Sequence, residues 1–475
     1  MVFSSLLFLA VFLPAVAGCY FLVPSRERAT RNAVLLTASG LFYLWGAGPF
    51  LFLLLASAFV DFRLGFLIAK RGVGARTWVT ASVGLNLLLL GYFKYANFFV
   101  GEWNAVLSHL GYASMPWFEV ALPIGISFFT FHKITYVVDV YRGTKPALTD
   151  FTDFALYLFF FPQLIAGPIV RFHEISEQLR GRRESREQVA RGVLRFSVGL
   201  VKKVIVADAC GEMADAVFGA EPGEIGTPSA WLGVAAYTLQ IYFDFSGYTD
   251  MALGLGLIFG FRLPENFDRP YTATSMTDFW RRWHMSLTRF FRDYVYIPMG
   301  GNRVGRLRTY GNLVAVFILC GFWHGADWTF LLWGLYHGFW LVAERVTGFG
   351  RDDTPASAPL RRAVTLGLVM VGWVFFRATS VSQALAMLKI LVVPTNRPWP
   401  LNLDLAANGR NLTIFILAWG WVLFASKHVS MAHWVTAPAR PVWSAIRVAM
   451  LAVLMFYAVS TLSLRADTPF LYFRF

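Results

Sequence analysis

Apolar runs of about twenty residues, the length a helix needs to cross a bilayer, recur along this chain and constrain its fold more than any motif does. Val2 to Val23 is one such run, ending at Arg26, Arg28 and Arg31. Ala33 to about Phe66 is too long for one crossing and is interrupted at Gly46-Ala47-Gly48-Pro49, which predicts a helical hairpin. Lys70, Arg71 and Arg76 then mark another basic turn, and by the positive-inside bias these clusters put the N-terminus outside.

Trp78 to Val100 should cross outward and Val120 to Val140 should return to Arg142 and Lys145. Phe151 to Val170 contains Pro162, Gly167 and Pro168 and has basic loops on both sides, so a broken, re-entrant hairpin is expected there. Gly192 to Ala207 carries Lys202 and Lys203 in its middle, which suggests a tilted or interfacial helix with snorkelling lysines. Residues 229–261 form an apolar run holding Asp244, Ser246, Thr249 and Asp250, and 262–308 reads as short basic helices at the cytoplasmic surface. Leu313 to His324 and Trp328 to Val342 are central helices. Arg351 to Pro355 is a soluble loop, and helices follow near 363–377, 382–393, 412–425 and 442–463. The expectation is an all-α polytopic membrane protein of about eleven to thirteen membrane helices. No repeat or linker divides residues 1–475, so one domain is expected.

Composition agrees with this: 57% of residues are hydrophobic and 15% charged. The +14 formal charge lies in short clusters between apolar runs, which reads as topology rather than as a nucleic-acid surface. Cys19, Cys210 and Cys320 lack metal-ligand spacing and imply neither a disulfide framework nor a zinc site. Val16-Ala17-Gly18-Cys19 resembles a lipoprotein cleavage box, but Met1 to Ser5 has no positive residue, so a retained first helix is expected.

Two histidines stand out. His324 ends an apolar run in Gly321-Phe322-Trp323-His324-Gly325-Ala326, and an ionisable side chain at membrane depth is a functional-site hypothesis by default. An imidazole can take a proton from a hydroxyl and return one to a leaving thiol. Its bland alternative is a buried histidine bonded to a neighbouring helix. His284 lies 40 residues upstream in Phe279-Trp280-Arg281-Arg282-Trp283-His284-Met285-Ser286, where Arg281 and Arg282 suit an anionic donor, or merely face lipid phosphates.

A metal is not expected. On one continuous helix His324 and His337 would stand about 20 Å apart on different faces. Cys320, four residues before His324, would share its face and could carry an acyl group as a thioester, but a small residue at a helix contact is the preferred reading. Ser246 lacks the glycine pattern of a nucleophile elbow, and Gly254-Leu255-Gly256 fits helix packing better than dinucleotide binding.

These blocks resemble the membrane-bound O-acyltransferases, in particular their bacterial alginate O-acetyltransferase branch. The resemblance runs through Met1 to Ser5, Leu90 to Tyr95, Leu122 to Phe128, Leu164 to Pro168, Tyr242 to Tyr248, Glu265-Asn266-Phe267, Phe279 to Ser286 and Gly321 to Ala326. It implies a tunnel or funnel of short and re-entrant helices with a catalytic core over about 120–345. It also implies His324 and His284 as catalytic, with Trp323, Trp283, Arg281, Arg282, Ser286, Asp244, Asn266 and Asp327 binding or supporting.

No bound cofactor is implied; acetyl-CoA or another acyl thioester is the donor substrate. The implied partners are membrane lipids, an exported polysaccharide acceptor and a periplasmic acetyltransferase, at a bacterial inner membrane. Alternative readings are D-alanyl transfer to teichoic acid, peptidoglycan or cellulose O-acetylation, or a transporter or channel. The aromatic Thr468 to Phe475 tail is either a docking element or an interfacial anchor.

Overall fold

The apolar runs become helices in the computed structural model, which describes residues 1–70, 72, 74–350, 357–424, 441–464 and 470–471. No strand occurs among those residues. Phe50–Ala69, Ala75–His109, Ala358–Arg377 and Val442–Leu464 are each long and apolar enough to cross a membrane. Phe8–Leu22, Val381–Val392 and Gly409–Phe424 are shorter apolar helices. The Arg351 to Pro355 loop, and the C-terminal tail apart from Phe470 and Leu471, lie outside the described residues.

Two compact units are distinguished. The first comprises Met1–Gly192 with Leu255–Pro264. Its expected break is present: helices Arg28–Ala47 and Phe50–Ala69 meet at Gly48, whose φ of +56° suits a residue without a Cβ. The 151–170 run is also broken, into Phe151–Phe159 and Phe161–Leu164 on either side of Phe160. Protein buries residues 153–170 throughout, which is the condition under which irregular backbone is tolerated in an apolar setting.

Charge buried in this unit is paired, as desolvation requires. Lys133 Nζ lies 3.4 Å from Asp61 Oδ2, which also accepts from Asn86, while Ser82 donates to Oδ1. Glu184 gathers Arg28, Arg31 at 2.9 Å and the Tyr20 hydroxyl.

The second unit comprises Val193–Gly254 with Glu265–Phe475. Two close helix crossings shape it. A Cβ on Gly199 would stand 2.4 Å from the Gly247 carbonyl oxygen, so the chain entering the 202–207 π-helical turn presses on the Thr227–Ile258 helix. That approach overturns the snorkelling expectation. Lys202 and Lys203 are buried, Lys202 on Asp250 at 2.6 Å and Lys203 on Asp244 and Asp208 at 2.8 Å each. Carboxylates on the facing helix hold both ammonium groups, so neither has to reach an interface.

The second crossing joins helices Arg306–His324 and Trp328–Thr347. Gly321 and Gly334 meet there, and a Cβ on either would fall 2.3 Å from a carbonyl oxygen of the opposite helix. Small residues let helix backbones approach closely in apolar surroundings.

Candidate active site

His324 is the last residue of the 306–324 helix, and the backbone turns extended at Gly325. Asp327 caps the next helix: its Oδ1 accepts the Thr329 N–H at 2.8 Å. The Asp327 carboxylate, expected in a binding or supporting role, therefore closes a helix N-terminus. The break also removes the premise of a continuous helix through His324 and His337, because the chain reverses between them.

Aromatic rings enclose His324. Centroid separations are 4.8 Å to Trp323, 5.1 Å to Trp333, 5.2 Å to Phe376 and 6.5 Å to His284. The two histidines singled out in sequence are thus neighbours, brought together from positions 40 residues apart.

His284 is completely buried, in contrast to the surface setting expected for 262–308. It precedes the short Met285–Phe291 helix with φ +43°, a left-handed conformation uncommon for a residue with a side chain and costly unless surroundings impose it. Asn266 imposes it. The Asn266 backbone carbonyl accepts the Met285 N–H at 2.9 Å. Its side-chain Oδ1 accepts the Ser286 N–H at 3.1 Å and the Ser286 hydroxyl at 2.9 Å, and contacts His284 Nδ1 at 3.1 Å.

A backbone N–H can only donate, so the Asn266 atom facing Ser286 is the carbonyl oxygen and His284 Nδ1 must carry a proton. Nε2 is then the lone-pair nitrogen of the neutral ring. His284 lies outside the membrane-spanning helices, and burial pushes its imidazole down to about 3, so it is neutral at ordinary pH.

The remaining predicted residues divide. Trp323 lies 6.1 Å from the His284 ring, and buried Trp283 packs 5.6 Å from Phe279 and 4.9 Å from Trp373. Ser286 and Asn266 bind the His284 turn directly. Arg281 is exposed, and Arg282 pairs with Asp278 at 2.8 Å. Asp244 belongs to the Lys203 cluster and also accepts the Leu471 N–H at 2.9 Å. Cys320 is buried and lines an apolar cavity of about 130 Å³ with Trp280, Leu287, Thr288 and Phe317.

Sequence reasoning set aside His337, yet it borders the same aromatic enclosure. Its ring is 4.8 Å from Trp333, and its Nδ1 accepts the Trp280 indole N–H at 3.3 Å. The signal was present: Trp333 and His337 are one helical turn apart and share a face.

Residues 117–386 match the model of the membrane-bound O-acyltransferase family. The probable alginate O-acetylase of Azotobacter vinelandii is 47% identical over 391 residues, covering 82% of this chain and 77% of the relative. That of Pseudomonas putida is 41% identical over 494 aligned residues and the full length of both proteins. The peptidoglycan O-acetyltransferase of Helicobacter pylori is 36% identical over 426 residues, 82% of this chain and 80% of the relative. With the apolar helices described above, these matches establish that the chain is a multi-pass membrane O-acyltransferase and belongs to the membrane-bound O-acyltransferase family.

Proposed function

We propose that this protein moves an acetyl group from a cytosolic acyl thioester, acetyl-CoA or a carrier-bound acyl group, across a bacterial inner membrane for O-acetylation of an exported polysaccharide such as alginate. The observation that carries the reading is the meeting of His284 and His324 inside one aromatic enclosure. The relatives named as alginate O-acetylases support the choice of acyl group and acceptor.

In this proposal the core over about 120–345, within a single membrane domain, forms a tunnel that lets donor and acceptor approach from opposite sides. His324 takes the proton of the acceptor hydroxyl as its oxygen attacks the thioester carbonyl. The resulting oxyanion is stabilised by the Trp323 indole N–H, the Ser286 hydroxyl or nearby backbone N–H groups. Collapse breaks the carbon–sulfur bond, and the imidazolium returns its proton to the leaving thiolate. His284, fixed through Asn266, supplies the second imidazole, with Nε2 as acceptor or base. A periplasmic acetyltransferase partner would complete transfer to the polymer.

The test is transfer from radiolabelled acetyl-CoA by the purified protein in lipid vesicles, with and without a polysaccharide acceptor. His324→Ala should lower the rate on the order of a hundredfold or more. A retained rate in folded His324→Ala protein would remove His324 from the mechanism. The peptidoglycan-acetylating relative supports a second acceptor, so alginate and peptidoglycan fragments should be compared directly.

A further inference from the structure

The His284 turn is held by Asn266, but Asn266 itself sits in a stretch, 261–267, with no regular secondary structure. Its position must therefore be fixed from outside that stretch. Arg195, on the Arg186–Val201 helix, does this with a guanidinium divided between two carboxylates. Nη1 and Nη2 donate to Glu265 Oε1 and Oε2 at 2.6 Å each, and Nε and Nη2 donate to Asp250 Oδ1 at 3.1 and 3.0 Å. Lys202 takes the other Asp250 oxygen at 2.6 Å. Arg289 Nη2 binds the Glu265 backbone carbonyl at 2.7 Å. Residue 265 is thus held by side chain and backbone, immediately before the residue that holds His284.

We propose that Arg195 is a positioning residue for acyl transfer, acting through Glu265 and Asn266 to fix the orientation and tautomer of the His284 imidazole. The inference rests on the proposed requirement for His284. The planar fork matters because it makes four hydrogen bonds at once, one pair of them to the two Glu265 oxygens, and the three diverging donors of an ammonium cannot reproduce that set. The Arg195 side chain is only 16% exposed, so water cannot readily take over these bonds.

Arg195→Lys keeps the charge and removes the fork. Glu265→Gln, at a side chain 55% exposed, removes the partner's charge with little threat to folding. Both variants, His284→Ala and the unaltered protein are compared in vesicles for kcat, donor KM and thermal unfolding. Histidine-selective ¹⁵N NMR reports the His284 tautomer, assigned by its loss in His284→Ala.

The expected result is a fall in kcat of about 10- to 100-fold, the scale of a small misplacement of a reacting group, with donor KM unchanged. The His284 signal should shift from a fixed Nδ1–H form to a tautomer mixture. A brace with no role in positioning would lower the melting temperature while leaving kcat per folded molecule and the tautomer unchanged; that outcome, alongside an inactive His284→Ala, overturns this proposal alone. Full activity in His284→Ala would overturn the reading beneath it, and the proposal with it.

Discussion

A single methyl group at Gly334 should separate the two helices that carry His324 and Trp333. The added Cβ would stand 2.3 Å from the Phe317 carbonyl oxygen and 3.3 Å from Gly321 Cα, where ordinary contact begins at 3.4 Å. Both obstacles are backbone, which has no rotamer to change, so the 306–324 and 328–347 helices must part by about 1 Å at a cost of about 1–3 kcal/mol. Trp333 adjoins the altered residue, and its ring lies 5.1 Å from His324. Displacing a positioned group by about 1 Å can cost about 100-fold in rate, so Gly334→Ala should lose activity out of proportion to its stability. Gly338→Ala is the graded control, since its Cβ would meet Val314 Cα at 3.2 Å, a far milder conflict on the same helix. The assay is acetyl transfer per folded molecule in vesicles, with thermal unfolding measured in parallel. Unaltered kcat in folded Gly334→Ala protein would refute the claim that this crossing sets the position of His324.

Glu184→Gln should lower the melting temperature at neutral pH. Burial raises the Glu184 carboxyl pKa, but hydrogen bonds from Arg28 and Tyr20 and the Arg28 charge outweigh it and leave the pKa below the usual value. Its stabilisation is therefore present above the unfolded-chain pKa of about 4.3 and is lost as pH falls through the lowered value, so the variant's deficit should shrink in acid; a deficit independent of pH would contradict the ion-pair account. Lys203→Met leaves Asp244 and Asp208 without their shared cation and should destabilise by about 3–5 kcal/mol, whereas adding Asp244→Leu should restore part of the loss in a denaturation assay. Cys320→Ala should retain most acetyl transfer, because the thiol lines an apolar cavity and has no step in the proposed mechanism. Loss of transfer by a folded Cys320→Ala protein, with a labelled acyl-enzyme trapped only in the unaltered chain, would reinstate the acyl-cysteine route.

Local features of the sequence translated directly into structure. Apolar run length gave the helices, Gly46 to Pro49 gave the first break, and Pro162 marked the second. The two histidine blocks were recognisable because each places an imidazole beside tryptophan in a chain otherwise sparing of polar groups. Pairings between distant positions were less legible. Lys202 and Lys203 looked like snorkelling lysines because their own segment offers them no anion but Asp208; Asp244 and Asp250 become partners only where Gly199 meets Gly247. His284 looked exposed for a similar reason, since its flanking arginines dominate the local pattern while Asn266 and Phe245 bury it from other segments. His337 could have been found, because the expected break between His324 and Trp328, with Asp327 as a helix-start signal, already set aside the continuous helix used to separate the two imidazoles.

The same distinction separates the proposed reacting groups from what directs them. For His324 and His284 the residues alone left a bland alternative open, and the family resemblance is what favours the proposed catalytic one. The conformation that makes His284 useful is a left-handed backbone with one defined tautomer, and no local propensity favours it. That conformation depends on an asparagine 18 residues earlier, which in turn depends on an arginine 70 residues before its glutamate neighbour. A substitution in this outer set should therefore spare donor binding and impair the chemical step, a pattern that composition and motif cannot anticipate and that kinetics can measure.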